Sequence, residues 1–183
     1  MNLFAETVRP DDVSHRSLMK LIGVNPWRIL APCIQAAGMH FTSPSFSIER
    51  GPSAYSTINC AWFESPHTFT DYWRLSIADA ASPAGIAVRS DGAIVAPCAI
   101  KLFGATPIAS IEIHSSRWGW SDSDAEECIE WDSAILFQLQ GRRHFCIWCQ
   151  IDGPGIATEV SFSESRELIR EVLKDATLRI RIE

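Results

Sequence analysis

Alternating apolar and polar residues occupy much of the middle of the chain, and this pattern predicts β-strands. It occurs at residues 45–48, 55–63 and 70–77, in stretches bounded by clusters of Ser, Thr, Pro and Gly. Alternation with a period of two places every second side chain on the same face of a strand. The intervening turn-forming residues make these stretches consecutive strands in the prediction.

Two hairpins are predicted in the second half of the chain. Residues 86–89 and 93–96 flank Ser90-Asp91-Gly92, a sequence typical of a tight turn. Residues 134–139 and 144–149 are two apolar runs on either side of a polar turn, and they form the strongest hairpin pattern in the chain.

Helical patterns lie near the N-terminus. Residues 11–22 begin with two acids and are followed by Gly23, which are signals of a helix start and a helix stop. A second helix, short or broken, is predicted over residues 28–37, because Pro32 would interrupt a longer one.

The C-terminal region combines one helix with one strand. Ser163 or Ser165 is predicted to cap a helix that extends to about Lys174, with acids in its first turn. Residues 178–183 alternate strictly between apolar and charged side chains, which predicts a half-buried strand at a sheet edge.

Together these elements predict an α+β fold made mostly of antiparallel β-structure. We expect a sandwich-like or strongly bent sheet, a helical N-terminal segment and one helix near the C-terminus. The chain lacks the regular β-α-β alternation of a parallel sheet. Its 183 residues suit a single domain over 1–183, with a weak subdivision near 79–85.

Composition indicates a folded protein, since 46% of the residues are hydrophobic and 21% are charged. The formal net charge of −6 disfavours nucleic acid as a partner, because phosphate contacts come mainly from Lys and Arg. The N-terminal residues do not resemble a signal peptide, and no apolar run reaches about 18 residues. We therefore expect a cytoplasmic protein without a membrane span.

The six cysteines are expected to be reduced, because disulfide-dense chains are usually small and secreted. Cys146 and Cys149 form a C-x-x-C motif, but residues three apart on a strand point to opposite faces. We therefore expect neither a metal site nor a redox pair from this motif. His67 and His114 are the histidines best placed for catalysis, although surface positions are expected for both. No catalytic residue, metal or cofactor is predicted.

One acidic segment carries tryptophans and is the best candidate for a contact surface. Trp118 and Trp120 precede it and Trp131 lies within it. The segment is expected to be a surface loop that leads into a strand. Its acids are Asp122, Asp124, Glu126, Glu127, Glu130 and Asp132.

Three interpretations of this segment remain open. The acids can simply be solvated while the tryptophans pack into the core, as is usual for charged stretches. Alternatively, Trp118 and Trp120 anchor a protein partner while Asp122, Asp124, Glu126 and Glu127 attract a basic surface. A site for a hard cation at Asp122 and Asp124 is the third interpretation, although the EF-hand pattern is absent.

The leading functional hypothesis is a non-enzymatic binding protein that covers a basic protein partner. In class and charge it resembles the small acidic inhibitor or immunity proteins of toxin systems in a bacterial-type cytoplasm. One alternative is a small-ligand-binding protein or enzyme with a pocket between its sheets. Another is an assembly subunit that pairs through its C-terminal strand. Arg142 and Arg143 are interpreted as residues that keep a turn soluble.

Overall fold

The computed structural model describes residues 4–7, 12–64, 71–85, 87–91, 94–95, 98–122, 125–149 and 159–183. These residues form short helices near the two ends and many strands between them. In chain order the elements are β1 (Phe4–Thr7), α1 (Asp12–Met19), β2 (Arg28–Ala31), β3 (Gln35–Ala37), β4 (His40–Ser43), β5 (Ser45–Gly51), β6 (Ala54–Glu64), β7 (Asp71–Ala80), β8 (Ala87–Val88), β9 (Ile94–Val95), β10 (Cys98–Lys101), β11 (Ile108–Asp122), β12 (Ala125–Leu139), β13 (His144–Cys149), β14 (Val160–Ser163), α2 (Arg166–Leu173) and β15 (Thr177–Ile182).

The strands form two main sheets in which nearly all neighbours are antiparallel. The larger sheet has eight strands in the order β15-β11-β12-β13-β14-β4-β3, with β1 paired in parallel to β12. The smaller sheet has five strands in the order β10-β2-β5-β6-β7. Strands β8 and β9 form a separate two-stranded hairpin. The β-rich, mostly antiparallel prediction is confirmed, whereas the sandwich-like or strongly bent packing stays a prediction.

One large hydrophobic cluster takes side chains from both sheets. Phe46 and Ile58 of the smaller sheet belong to the same cluster as Phe137, Phe145 and Ile147 of the larger one, and none of them is exposed. The rings of Phe137 and Phe145 stack with their centroids 4.6 Å apart. Each such side chain contributes about 2 kcal/mol through burial, so this cluster is the main source of stability.

Strand β13 separates this core from a smaller cluster on the other face of its sheet. Phe145, Ile147 and Cys149 belong to the large cluster, whereas Cys146 and Trp148 pack with Ile169 of α2. The alternation follows from the pleat of the strand. Helix α2 therefore covers the face of β12 and β13 that points away from the inter-sheet core.

The predicted terminal elements are confirmed. Helix α1 lies within the predicted residues 11–22. The side chain of Ser165 caps α2 by accepting a hydrogen bond from the backbone N–H of Leu168. Strand β15 is the edge strand of the larger sheet, as its alternation predicts.

The predicted helix over residues 28–37 is wrong, because this segment forms β2 and β3. Strand β2 lies between β10 and β5, and Ile29, Leu30 and Ala31 are all buried. A short apolar run that is buried on both faces has no two-residue alternation. Periodicity alone therefore cannot distinguish such a strand from a short buried helix.

The predicted loop in the acidic segment is also wrong. Residues up to Asp122 continue β11 and residues from Ala125 continue β12, and the two strands stay paired from Ile108↔Leu139 to Asp122↔Ala125. Charge and small residues favour the loop prediction, but alternating Trp and Ile positions on both sides support a long hairpin.

Candidate functional site

A cleft of about 560 Å³ lies where the β12–β13 turn meets α2. The turn supplies Arg142 and Arg143, β13 supplies His144, and α2 supplies Arg166 and Arg170. We call this site the cationic cleft. Its volume falls within the range typical of small-ligand sites, about 300–1,000 Å³.

The turn has a backbone conformation that presents two successive arginines. Gly141 and Arg142 both have positive φ, at 85° and 71°. The N–H of Leu139 closes the turn by donating to the carbonyl of Arg143 at 2.8 Å. Positive φ costs a residue with a Cβ about 1–2 kcal/mol, so Arg142 occupies a position where Gly or Asn would be more stable. Non-glycine residues in such conformations cluster at functional sites.

Arg143 is held in place, whereas the other arginines leave their charges available. Arg143 donates to Glu164 Oε1 at 2.6 Å and also to the carbonyl of Phe103. Arg166 donates to the carbonyl of Arg142 at 3.4 Å, which links α2 to the turn. Within the described parts of the chain, no carboxylate forms an ion pair with Arg142, Arg166 or Arg170. The exposed rim of the cleft is therefore positively charged.

The floor of the cationic cleft is apolar. Leu139 and Ile169 are buried there, and Leu136 and Leu173 are half-buried. The site thus combines an apolar floor with a cationic rim. This arrangement suits a ligand with a hydrophobic part and at least one anionic group.

A polar network connects one wall of the cleft to the edge of the sheet. Gln138 lines the cleft and donates to Glu112 Oε1 at 2.8 Å, and Arg181 lies 2.8 Å from the same oxygen. His114 Nε2 is 3.3 Å from the other oxygen of Glu112. The ion pair with Arg181 compensates the buried charge of Glu112. The hydrogen bond to Glu112 fixes the orientation of the Gln138 side chain.

His114 differs from its predicted surface position. It is 8% exposed, and its Nδ1 has no hydrogen-bond partner among the described residues. Along the chain it lies near the middle of β11, where the register of the pairing with β12 shifts between His114 and Ser115. His67, the other histidine considered for catalysis, lies outside the described residues.

The predicted contact residues lie on the distal part of the β11–β12 hairpin. Among the described residues, β15 pairs with residues 111–115 of β11, and β13 pairs with residues 134–138 of β12. Beyond those pairings, residues 116–122 and 125–133 form what we call the hairpin arm, which β1 flanks at residues 127–130. The arm extends about 20 Å at the usual rise per strand residue.

The pleat of the arm divides the predicted contact residues between two sets of positions. The pairs Trp118↔Ile129, Trp120↔Glu127 and Asp122↔Ala125 form one set, and Ser121↔Glu126 belongs to the other. Asp124 lies outside the described residues. The backbone register thus places Trp120 opposite Glu127, whereas Glu126 belongs to the other set of positions.

Asp132 has a structural role at the base of the arm. Its side chain is fully buried, and both of its oxygens accept hydrogen bonds from Arg179 at 2.6 Å. Ser115 Oγ donates to it at 3.0 Å. This acid therefore connects β12 to β15 and does not contribute to a solvated surface.

The cysteines of the C-x-x-C motif point to opposite faces, as predicted. Cys146 packs in the cluster under α2, and burial raises the pKa of its thiol. Cys149 lies in the inter-sheet core, where its Sγ is 2.8 Å from Sγ of Cys60. The five cysteines whose side chains the structure describes are all free thiols.

Sequence reasoning missed the cationic cleft because its arginines come from separate elements. The four-residue spacing of Arg166 and Arg170 was visible as one side of a helix. The sequence pattern did not indicate that this side of α2 lies beside the turn that contains Arg142 and Arg143. In the described residues, no group of three or more His, Cys, Asp or Glu side chains is arranged to hold a metal ion.

Comparisons with protein-family models, with curated proteins and with solved structures find no match for this chain. Neither helix in the described part of the chain is long and apolar enough to cross a membrane.

Proposed function

We propose that this protein is a binding protein that takes an anionic ligand in the cationic cleft. The observation that carries the proposal is the convergence of four arginines from the β12–β13 turn and α2 around one cleft. Three of them have no carboxylate partner in the described parts of the chain. Arginines placed in this way at the rim of a cleft are suited to carboxylate or phosphate groups.

The arrangement indicates how a ligand would be held. Arg166 and Arg170 are one helical turn apart, so both guanidinium groups can donate to the same anionic group or to two neighbouring ones. On the apolar floor, the half-buried Leu136 and Leu173 would contact the hydrocarbon part of the ligand. Arg143 serves mainly to position the turn, because two of its nitrogens already donate to Glu164 and to the carbonyl of Phe103.

Calorimetric titration with two probes tests this proposal. Inorganic pyrophosphate represents phosphate ligands and citrate represents carboxylate ligands. We expect at least one probe to bind at low salt, and Arg166→Gln with Arg170→Gln to weaken that binding at least tenfold. The reason is that charged hydrogen bonds contribute about 1.5–3 kcal/mol each, and 1.4 kcal/mol is a factor of ten.

A matched variant controls for the loss of positive charge. Arg16→Gln with Arg89→Gln removes two charges from exposed arginines that do not line the cleft. This control should bind the probes as the unmodified protein does. Equal weakening in both double variants would show that net charge alone attracts the anion, and the proposal would then be wrong.

The hairpin arm supports a second proposal, that it docks a basic protein as the inhibitor or immunity proteins of toxin systems do. The observation in its favour is that, within the described part of the chain, residues 116–122 of β11 extend beyond the part of that strand that pairs with β15. A free strand edge can add a strand from a partner. Trp118 and Trp120 would anchor the partner and the acids of the arm would accelerate association.

Replacing the four acids of the arm tests this second proposal. Pull-downs at low and high salt would compare the unmodified protein with a variant in which Asp122, Asp124, Glu126 and Glu127 are all Ser. A basic partner held at low salt should be lost in the variant. A control with Ser at Asp91, Glu171, Asp175 and Glu183 should retain it. Equal retention by both variants would contradict a docking role of the arm.

We further propose that the protein is cytoplasmic, that residues 1–183 form one domain and that its two sheets pack as a sandwich.

A further inference from the structure

Two cysteines from different sheets lie unusually close together in the core. Cys60 of β6 and Cys149 of β13 have their Sγ atoms 2.8 Å apart, although 89 positions separate them in the chain. A disulfide bond has a length of about 2.05 Å, so the two sulfurs need to approach by only about 0.8 Å. Cys60 Sγ also lies 3.2 Å from the carbonyl oxygen of Glu159.

The two thiols differ in their access to solvent. Cys149 is 7% exposed and belongs to the core, whereas Cys60 is half-buried at its margin. Burial, and then the neighbouring Cys60, raises the pKa of the Cys149 thiol. A reagent from solution would therefore reach Cys60 first, and Cys149 would react only with a sulfur already bonded at Cys60.

We propose that Cys60 and Cys149 form a reversible disulfide that joins the two sheets when the protein meets an oxidised small-molecule disulfide of the glutathione class. The Cys60 thiolate attacks one sulfur of the reagent, breaks its S–S bond and releases one small thiolate. Cys149 then gives its proton to the small thiolate released in the first step and attacks Sγ of Cys60, which releases the second small molecule as a thiolate that takes a proton from solvent. Two protein thiols are oxidised, and one small disulfide is reduced to two thiols.

This site is separate from the cationic cleft. Cys149 faces the inter-sheet core, whereas the cleft lies on the face of the larger sheet that α2 covers. A cross-link between positions 60 and 149 closes a long loop, which restricts the unfolded chain. We expect it to raise the melting temperature by about 10 °C.

Incubation of the full chain with glutathione disulfide, followed by mass spectrometry, tests the inference. The expected product has lost about 2 Da, corresponding to two hydrogen atoms, and contains a peptide that links Cys60 to Cys149. Its melting temperature should rise and return to the initial value with a reducing agent. Cys33→Ser, a change at an exposed cysteine, should leave both results unchanged.

Variants of the two cysteines complete the test. Cys60→Ser and Cys149→Ala should each abolish the mass loss and the thermal shift. Because Cys149 is buried and its variant can fold poorly, mapping of the linkage in the unmodified chain provides the decisive result. A disulfide between other cysteines, or a stable mixed disulfide at Cys60 without closure, would overturn the inference. Oxidation of the Arg166→Gln, Arg170→Gln variant should match that of the unmodified protein, so this test is independent of ligand binding.

Discussion

At the scale of single residues, the buried pair of Asp132 and Arg179 shows that one acid of the acidic segment lies in the protein interior. Asp132 is fully buried, and Arg179 is 13% exposed at its side chain. The bidentate geometry compensates the cost of removing both charges from water. The pair lies beside the irregular pairing of β11 and β12, where the hairpin arm begins.

Asp132→Asn should strongly destabilise the protein. The neutral amide cannot accept both hydrogen bonds from Arg179, so the guanidinium would remain buried without compensation. Removing one partner of a buried pair costs about 3–5 kcal/mol. Urea unfolding measures the difference in the free energy of unfolding.

Asp91→Asn provides the matched control for this measurement. Asp91 pairs with Arg89 at 3.7 Å, and both side chains are more than half exposed. Exposed pairs contribute about 1 kcal/mol or less, so this change should have little effect. A loss below 1 kcal/mol for Asp132→Asn would show that the pair does not hold the base of the arm.

At the scale of elements, α1 is tied to the smaller sheet through one carboxylate. Asp79 of β7 binds Lys20, directly after α1, and lies 3.2 Å from Arg50 of β5. The hydrogen bond from Lys20, with the charge of Arg50, holds the pKa of Asp79 below its usual value. Leu18 and Leu21 are fully buried beside this contact, so the ion pair lies at the edge of an apolar interface.

The lowered pKa makes a prediction about acid stability. A carboxylate whose pKa is lower in the folded than in the unfolded state stabilises the protein above the unfolded value, about 4. That stabilisation is lost as pH falls through the folded pKa. The difference in unfolding free energy between the unmodified protein and Asp79→Asn should therefore be largest near neutral pH and shrink below about pH 4.

Lys20→Gln is the companion variant for the pH measurement. It removes the largest cause of the shift and should reduce the same acid-dependent loss of stability. Unfolding by urea at several pH values would record both effects. A constant difference between the unmodified protein and Asp79→Asn across the acid range would contradict the proposed coupling.

Elements were predictable where the chain carries a clear local pattern. The two apolar runs at residues 134–139 and 144–149, on either side of a polar turn, identified β12 and β13, and Ser165 marked the start of α2. Prediction failed at β2, where burial on both faces removes the alternation. It failed again in the hairpin arm, where clustered acids suggested a loop although Trp and Ile alternated.

The candidate sites were less predictable because they depend on tertiary packing. Arg142 and Arg166 meet only because α2 folds back over β12 and β13. Cys60 and Cys149 meet only because β6 and β13 contribute to one core. The C-x-x-C motif pairs Cys146 with Cys149 in the sequence, but the cysteine next to Cys149 in the structure is Cys60 of the other sheet. No local pattern encodes such contacts.

At the scale of the whole molecule, net charge and local charge differ in sign. The chain has a formal net charge of −6, and this favours a basic partner. The cationic cleft nevertheless collects four arginines on one side of α2. Overall charge influences solubility and long-range association, whereas the nearest charged groups determine what a cleft binds. The hairpin arm and the cleft can therefore serve ligands of opposite charge.

An NMR titration tests anion binding in the cationic cleft most directly. Inorganic pyrophosphate and citrate would be added to isotope-labelled protein while backbone amide signals are followed. We predict saturable shifts concentrated at residues 140–144 and 166–173, and their loss in the Arg166→Gln, Arg170→Gln variant. Shifts spread evenly over exposed basic residues such as Arg16 and Arg89, or no saturable shifts with either probe, would contradict the claim.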